Sequence, residues 1–259
     1  MNKEKLNSLI ARTEKPTRYM GGELNMRMKD EFEFRFALCF PDTYEIGMSH
    51  LGSRIVYNVL NNRSDTFCER AFAPWVDMEK LLREENEKLF SIETKTPLDE
   101  FDIIGFSLLY EMCYTNLLNM LELSGIPLTT AERGDKYPLI VAGGPCVCNS
   151  EPLAEIVDVF FFGDGEELMN DFMDCYATCM HKGLSRHEML IELSKIKGIY
   201  VPSFYRAEYE NGEFSRLIKL EEAAPDAVTR RIVRDLDKAE FTGDLIVPYM
   251  NIVHDRIAL

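Results

Sequence analysis

The stretch from Phe32 to Gly52 constrains the fold more than any other part of the chain. Phe32, Phe34, Phe36 and Leu38 alternate with Glu33, Arg35 and Ala37, which is the two-residue period of a strand. Pro41 then ends the ladder, because proline has no N–H to donate. Gly47 and Gly52 follow, and Ile55, Val56, Val59 and Leu60 recur at helical spacing. Strand, turn and helix form the opening unit of an open α/β sheet, where ligands sit beyond the carboxyl ends of the strands. Asp42 to Gly47 is therefore the first candidate site.

The rest of the chain repeats that unit. Phe67 to Ala73 reads as a second strand and Asp77 to Lys88 as a helix with Leu81 and Leu82 inward. Phe101 to Leu109 and Pro138 to Pro145 are near-continuous apolar runs, the pattern of parallel strands covered on both faces. Between them Met112 to Ser124 reads as a helix capped by Gly125. Asp158 to Phe162 is a further strand, and Leu168 to His181 a long helix. Strands alternating with helices predict a flavodoxin-like α/β fold: a doubly wound, parallel, five-stranded sheet with helices on both faces. From Ser185 the texture changes to a helix (Arg186 to Ile196) and a hairpin signalled by Asn211-Gly212. The expected organisation is a tail over 1–29 that packs back on the domain, the α/β domain over 30–184, and a small α+β extension over 185–259.

Composition narrows the function. A net charge of −15 argues against nucleic acid as a partner, since binding its backbone needs a basic face. No apolar run reaches membrane-spanning length and the N-terminus lacks a signal-peptide core, so no membrane association and a cytoplasmic setting are expected. Seven cysteines, odd in number and thinly spread, do not form a disulfide framework. Cys175 and Cys179 share a helix face, but no third or fourth metal ligand follows at useful spacing, so they read as small buried hydrophobes.

Three short signals fall at the ends of successive predicted strands: Asp42-Thr-Tyr44-Glu-Ile-Gly47, Ser107-Leu-Leu109 and Gly143-Gly144. Each alone is what commonly ends a strand. Together, a ligand across the top of the sheet would meet all three, with the glycines permitting close backbone approach. Asp164-Gly-Glu-Glu could offer carboxylates to a cation, though acidic residues also simply favour a helix N-terminus. His50, one turn into a helix, reads as a structural or capping residue. No Gly-x-Gly-x-x-Gly opens a helix, which disfavours a flavin or nucleotide binder.

The three signals are similar to the fingerprint of cobalamin-binding domains, Asp-x-His-x-x-Gly, then Ser-x-Leu, then Gly-Gly. The resemblance implies that Asp42, Gly47, Ser107, Leu109, Gly143 and Gly144 line a cofactor slot. Tyr44 stands where the cobalt-ligating histidine is expected, and a phenol of pKa about 10 is a poor ligand at neutral pH. Any cobalamin would then bind without a protein axial ligand, or the slot stays empty and the domain serves protein interaction alone. A wider resemblance rests on Tyr19-Met-Gly-Gly-Glu23, Phe40 to Gly52, Glu69 to Trp75, Asp102 to Leu108, Ala142 to Cys146 and Val247 to Arg256. These look like the N-terminal region of a family of bacterial radical S-adenosylmethionine proteins, in which the region precedes a catalytic barrel. That implies an accessory domain docking onto and capping the barrel. The Cys-x-x-x-Cys-x-x-Cys that holds the 4Fe-4S cluster is expected just after His254-Asp-Arg256, and the sequence ends at Leu259. The cluster and S-adenosylmethionine are thus expected only in the full-length protein, and this chain alone is expected to be inactive.

Overall fold

The alternating aromatic run becomes the strand beside which the rest of the sheet is laid. The structure is a computed structural model and describes residues 3–235, 237, 239 and 245–247. Helices α1 (Lys3–Ala11) and α2 (Thr17–Met20) precede β1 (Phe34–Phe40). The strand begins two residues later than the alternation predicts. The N–H groups of Glu33 and Phe34 both donate to the Asp65 carbonyl, at 2.8 and 2.9 Å, so ladder pairing opens at Phe34.

Two helices, α3 (Tyr44–Ser49) and α4 (Leu51–Asn62), lead to β2 (Thr66–Phe72) and α5 (Val76–Glu85). Then follow β3 (Ile103–Ser107), α6 (Tyr114–Leu123), α7 (Thr130–Arg133), β4 (Leu139–Gly143), β5 (Val159–Phe161), α8 (Gly165–His181) and α9 (Arg186–Ser194). The sheet order is β2-β1-β3-β4-β5, all parallel, with β6 (Ile199–Tyr200) added antiparallel to β5. The expected α/β fold holds, but with six strands instead of five. Strand β6 is two residues long, too short to show a period, and it lies in the stretch expected to belong to the extension.

The sheet has a core on each face. Phe34, Phe36, Leu38 and Phe40 meet Val59 and Leu60 of α4 and Leu168 and Phe172 of α8 on one side. Ala37 and Cys39 meet Met78 and Leu82 of α5 and Leu117 and Leu121 of α6 on the other. Beyond β6, the hairpin β7 (Tyr205–Glu210) and β8 (Glu213–Lys219) turns at Asn211 and Gly212, both at positive φ, as the Asn-Gly signal predicts. A strap then crosses the end of β5. Arg231 N–H donates to Phe162 O at 2.8 Å, and Asp164 N–H donates back to Arg231 O at 3.1 Å. Gly163 sits at φ +112°, where a Cβ would lie 2.0 Å from Arg231 O. No helix among the described residues is long and apolar enough to cross a membrane. Of the stretch Val247 to Arg256 only Val247 is described, and His254-Asp255-Arg256 lie outside the described residues.

Strand β2 is the edge of the sheet, and its exposed ladder is covered by residues 89–97. Ile92 N–H donates to Arg70 O at 2.7 Å, which blunts an edge that would otherwise recruit other strands. The covering carries buried charge. Glu93 accepts from the Arg70 guanidinium and from Arg70 N–H, both at 2.6 Å, and Glu23 of the N-terminal segment takes the other face of Arg70 at 3.0 Å. Glu69 accepts from Arg35, Ser91 and Thr94. Burial pushes the Glu93 carboxyl up. Burial also works against the Arg70 cation, but Glu93 and Glu23 outweigh it and hold Arg70 charged. Removing the cation would strand two carboxylates, so Arg70→Ala is expected to cost about 3–5 kcal/mol, a fall in melting temperature on the order of 10 °C. Glu93→Gln, which keeps a hydrogen-bonding partner, is expected to be much milder. Thermal and urea unfolding of the two variants check this; equal, small losses would refute it.

Candidate functional site

Adjacent parallel strands necessarily deliver their carboxyl ends to one rim. Strands β1, β3 and β4 are neighbours, so the turns after Phe40, Ser107 and Gly143 lie side by side. Ser107 pairs in register with Gly143, and Leu108 N–H donates to Gly143 O at 2.7 Å while Cys146 N–H donates to Leu108 O at 3.1 Å. Gly144 has φ +110°, and a Cβ there would lie 2.5 Å from Leu108 O. This glycine is required by the close approach of two turns. The first turn is joined to the second by Tyr110, whose hydroxyl donates to Asp42 at 2.9 Å.

Below this rim a cavity of about 310 Å³ opens between the sheet and helices α4 and α8. Its walls are apolar, with Phe36, Val56, Phe161 and Met169 among them, and its mouth carries His50, Ser53, Ser107, Gly143 and Gly144. Asp164 and Glu166 close the α8 side.

Of the residues predicted from sequence, Ser107, Gly143 and Gly144 line this cavity, and Asp42, Tyr44, Gly47 and Leu109 do not. Asp42 is occupied at the rim, accepting from Thr43 N–H at 2.7 Å as well as from Tyr110. Gly47 serves packing: a Cβ would meet the Phe72 ring at 2.3 Å, so glycine lets α3 lie against the sheet. Leu109 packs against the core on the α4 side. Tyr44 is turned to the buried charges, its hydroxyl donating to Glu23 at 2.8 Å and its ring meeting Phe72 edge-on. Burial and the Glu23 carboxylate push its pKa well above that of a free phenol. Tyr44 is thus a protonated donor with its oxygen engaged, and a metal ligand from this position does not fit.

His50 is a capping residue, as its place before the α4 periodicity predicts. It caps α4, its Nδ1 accepting from Ser53 N–H at 3.1 Å. That bond fixes the proton of the neutral ring on Nε2. Its ring packs on Phe40 and lines the cavity mouth. Burial, with the nearby Arg54 cation, lowers its pKa. Asp164 opens α8 and accepts from Val233 N–H at 2.8 Å, which holds the strap. No group of three or more His, Cys, Asp or Glu side chains that could hold a metal occurs among the described residues. Cys179 is buried and Cys175 half-buried on their helix. Nothing in the sequence marks the cavity walls, because Phe36, Val56, Phe161 and Met169 are indistinguishable from core residues until the helices are placed.

The pKa of His50 has a consequence for stability. A histidine depressed on folding lets the unfolded chain bind more protons below about pH 6.5, so stability falls as pH falls through that value. His50→Asn retains an N-cap and removes the titrating ring. The variant is expected to lose part of the acid-side decline between about pH 6.5 and 5, read as a flatter melting-temperature profile; an unchanged slope would contradict it.

The sequence from Gly52 to Pro202, running from the start of α4 past β6, matches the family model described as radical SAM proteins, N-terminal. No curated protein matches the chain. The match covers more than half of the chain, and with the α/β architecture it completes the assignment: the chain belongs to the N-terminal region of the radical SAM (S-adenosylmethionine) proteins.

Proposed function

We propose that this domain docks onto and caps the barrel of a radical SAM enzyme, presenting the rim at the carboxyl ends of its strands. One observation carries the reading. The same rim that holds the cavity exposes large apolar side chains: Trp75 and Val76 after β2, and Tyr110 and Met112 after β3. Met112 is 81% exposed and Val76 69%. Large apolar side chains exposed along one rim are suited to lie against another surface. Family membership supports a barrel as that surface and implies the 4Fe-4S cluster and S-adenosylmethionine in the full enzyme.

A second reading is that the cavity holds cobalamin. It is favoured by the apolar walls and by the placement of Ser107, Gly143 and Gly144 at the mouth, which suit a flat, weakly polar group such as the base of a nucleotide tail. The engagement of Tyr44 by Glu23 means that this chain's own residues would supply the slot and no axial ligand.

Two experiments test these readings. In a protein that includes the barrel, Val76→Glu with Met112→Glu should leave the domain's melting temperature nearly unchanged, since both side chains are exposed. Small-angle scattering should then show a more extended particle; scattering identical to wild type would contradict docking through this rim. For the cavity, hydroxocobalamin should be retained through desalting by the wild-type chain and lost on Gly143→Leu. Equal behaviour of the two would remove the cobalamin reading.

A further inference from the structure

On the opposite flank of α4 from the rim cavity lies a second, smaller cavity of about 210 Å³. It is lined by Arg27 and Arg54, with Asn25, Asn58 and the buried Tyr57. Most arginines of this acidic chain have a carboxylate within ion-pair distance, among them Arg18, Arg35, Arg63, Arg70 and Arg231. Arg27 and Arg54 are not in any ion pair formed among the described residues, and no carboxylate belongs to the described lining. Arg54 Nε is buried without a hydrogen-bond partner among the described residues, and burial lowers the pKa of its guanidinium. The position of Arg27 is fixed by the fold, because its N–H donates to the Tyr57 hydroxyl at 2.9 Å.

A partly buried cation with no carboxylate partner among the described residues is costly because burial strips its hydration. Two arginines lining one cavity beside Asn58 and Asn25, whose amide donates to Leu245 O at 2.6 Å, bring two forked donor groups within reach of an oxyanion. A singly charged carboxylate would neutralise only one of them, whereas a phosphate group carries about −1.5 to −2 at neutral pH. From this we infer that the cavity between the N-terminal segment and α4 is a phosphate-binding site, with Arg27 and Arg54 as its charge-bearing ligands and the side chains of Asn25 and Asn58 beside them. The helix that supplies Arg54 also gives Ser53, Val56 and its cap His50 to the rim cavity, so the two sites share one helix. This inference does not depend on the function proposed for the rim.

The test uses the whole chain and inorganic phosphate as probe. Calorimetry at fixed ionic strength should show saturable binding, with a rise in melting temperature that chloride does not reproduce. Arg54→Gln and Arg27→Gln should each weaken binding at least tenfold, and Arg54→Lys, which keeps the charge but loses the fork, should fall between. Without phosphate, Arg54→Gln should melt no lower than wild type, because it removes an unpaired charge; a structural arginine would instead melt lower. Phosphate should also raise the pKa of His50 in the wild type, by neutralising Arg54, and not in Arg54→Gln. Absence of saturable binding, or binding that survives both glutamine substitutions, would overturn the assignment. A free phosphomonoester that competes with inorganic phosphate and binds more tightly would place the group on a larger ligand; competition without any gain would identify the free ion as the ligand.

Discussion

The parallel pairing of β1, β3 and β4 is the constraint on which the rest depends. Their backbone ladders force three sequence-distant turns, after Phe40, Ser107 and Gly143, onto one rim. Close approach there leaves no room for a side chain at Gly144, and the hydroxyl of Tyr110 reaches Asp42 across the gap. Helices α4 and α8 complete the unit by standing off the sheet at this end, leaving the cavity between apolar walls. Were any of these strands reversed, the acidic turn, the serine and the glycines would be divided between the two ends of the sheet.

The far side of the sheet needs a different device. Strand β2 is an edge strand, yet every residue of it is buried, because residues 89–97 and the N-terminal segment cover it. Covering it brings Glu93, Arg70 and Glu23 out of water together. Such pairs contribute little net stability but penalise any arrangement that separates them. Tyr44 is drawn into the same network, which ties the turn after β1 to the N-terminal segment. The position that a cobalt-ligating histidine would occupy is thereby spent on holding the fold.

What was legible in the sequence follows from how local its physical cause is. The aromatic alternation, the apolar runs of β3 and β4, and the Asn211-Gly212 hairpin are dictated by neighbours in sequence, and all appear within a residue or two of their expected places. So does the convergence of Asp42, Ser107 and Gly143 on one rim, because strand order in a doubly wound sheet follows from connection rules. The partner of Tyr44 was not legible: Glu23 lies 21 residues upstream in a segment with no period. The burial of Glu69 and Arg70 was not legible either, because it depends on the loop over β2. Strand β6 has only two residues, and its pairing depends on where α9 returns the chain.

Hydrogen exchange is the most direct test of the central claim, that the rim carrying the cavity is the face through which this domain meets the rest of the enzyme. Amides of residues 73–79 and 108–116 should exchange markedly more slowly in a protein that includes the barrel than in this chain alone, while those near Asp102 and Tyr137 at the opposite end of the sheet stay unchanged. Protection confined to that opposite end, or no difference at the rim, would contradict the account.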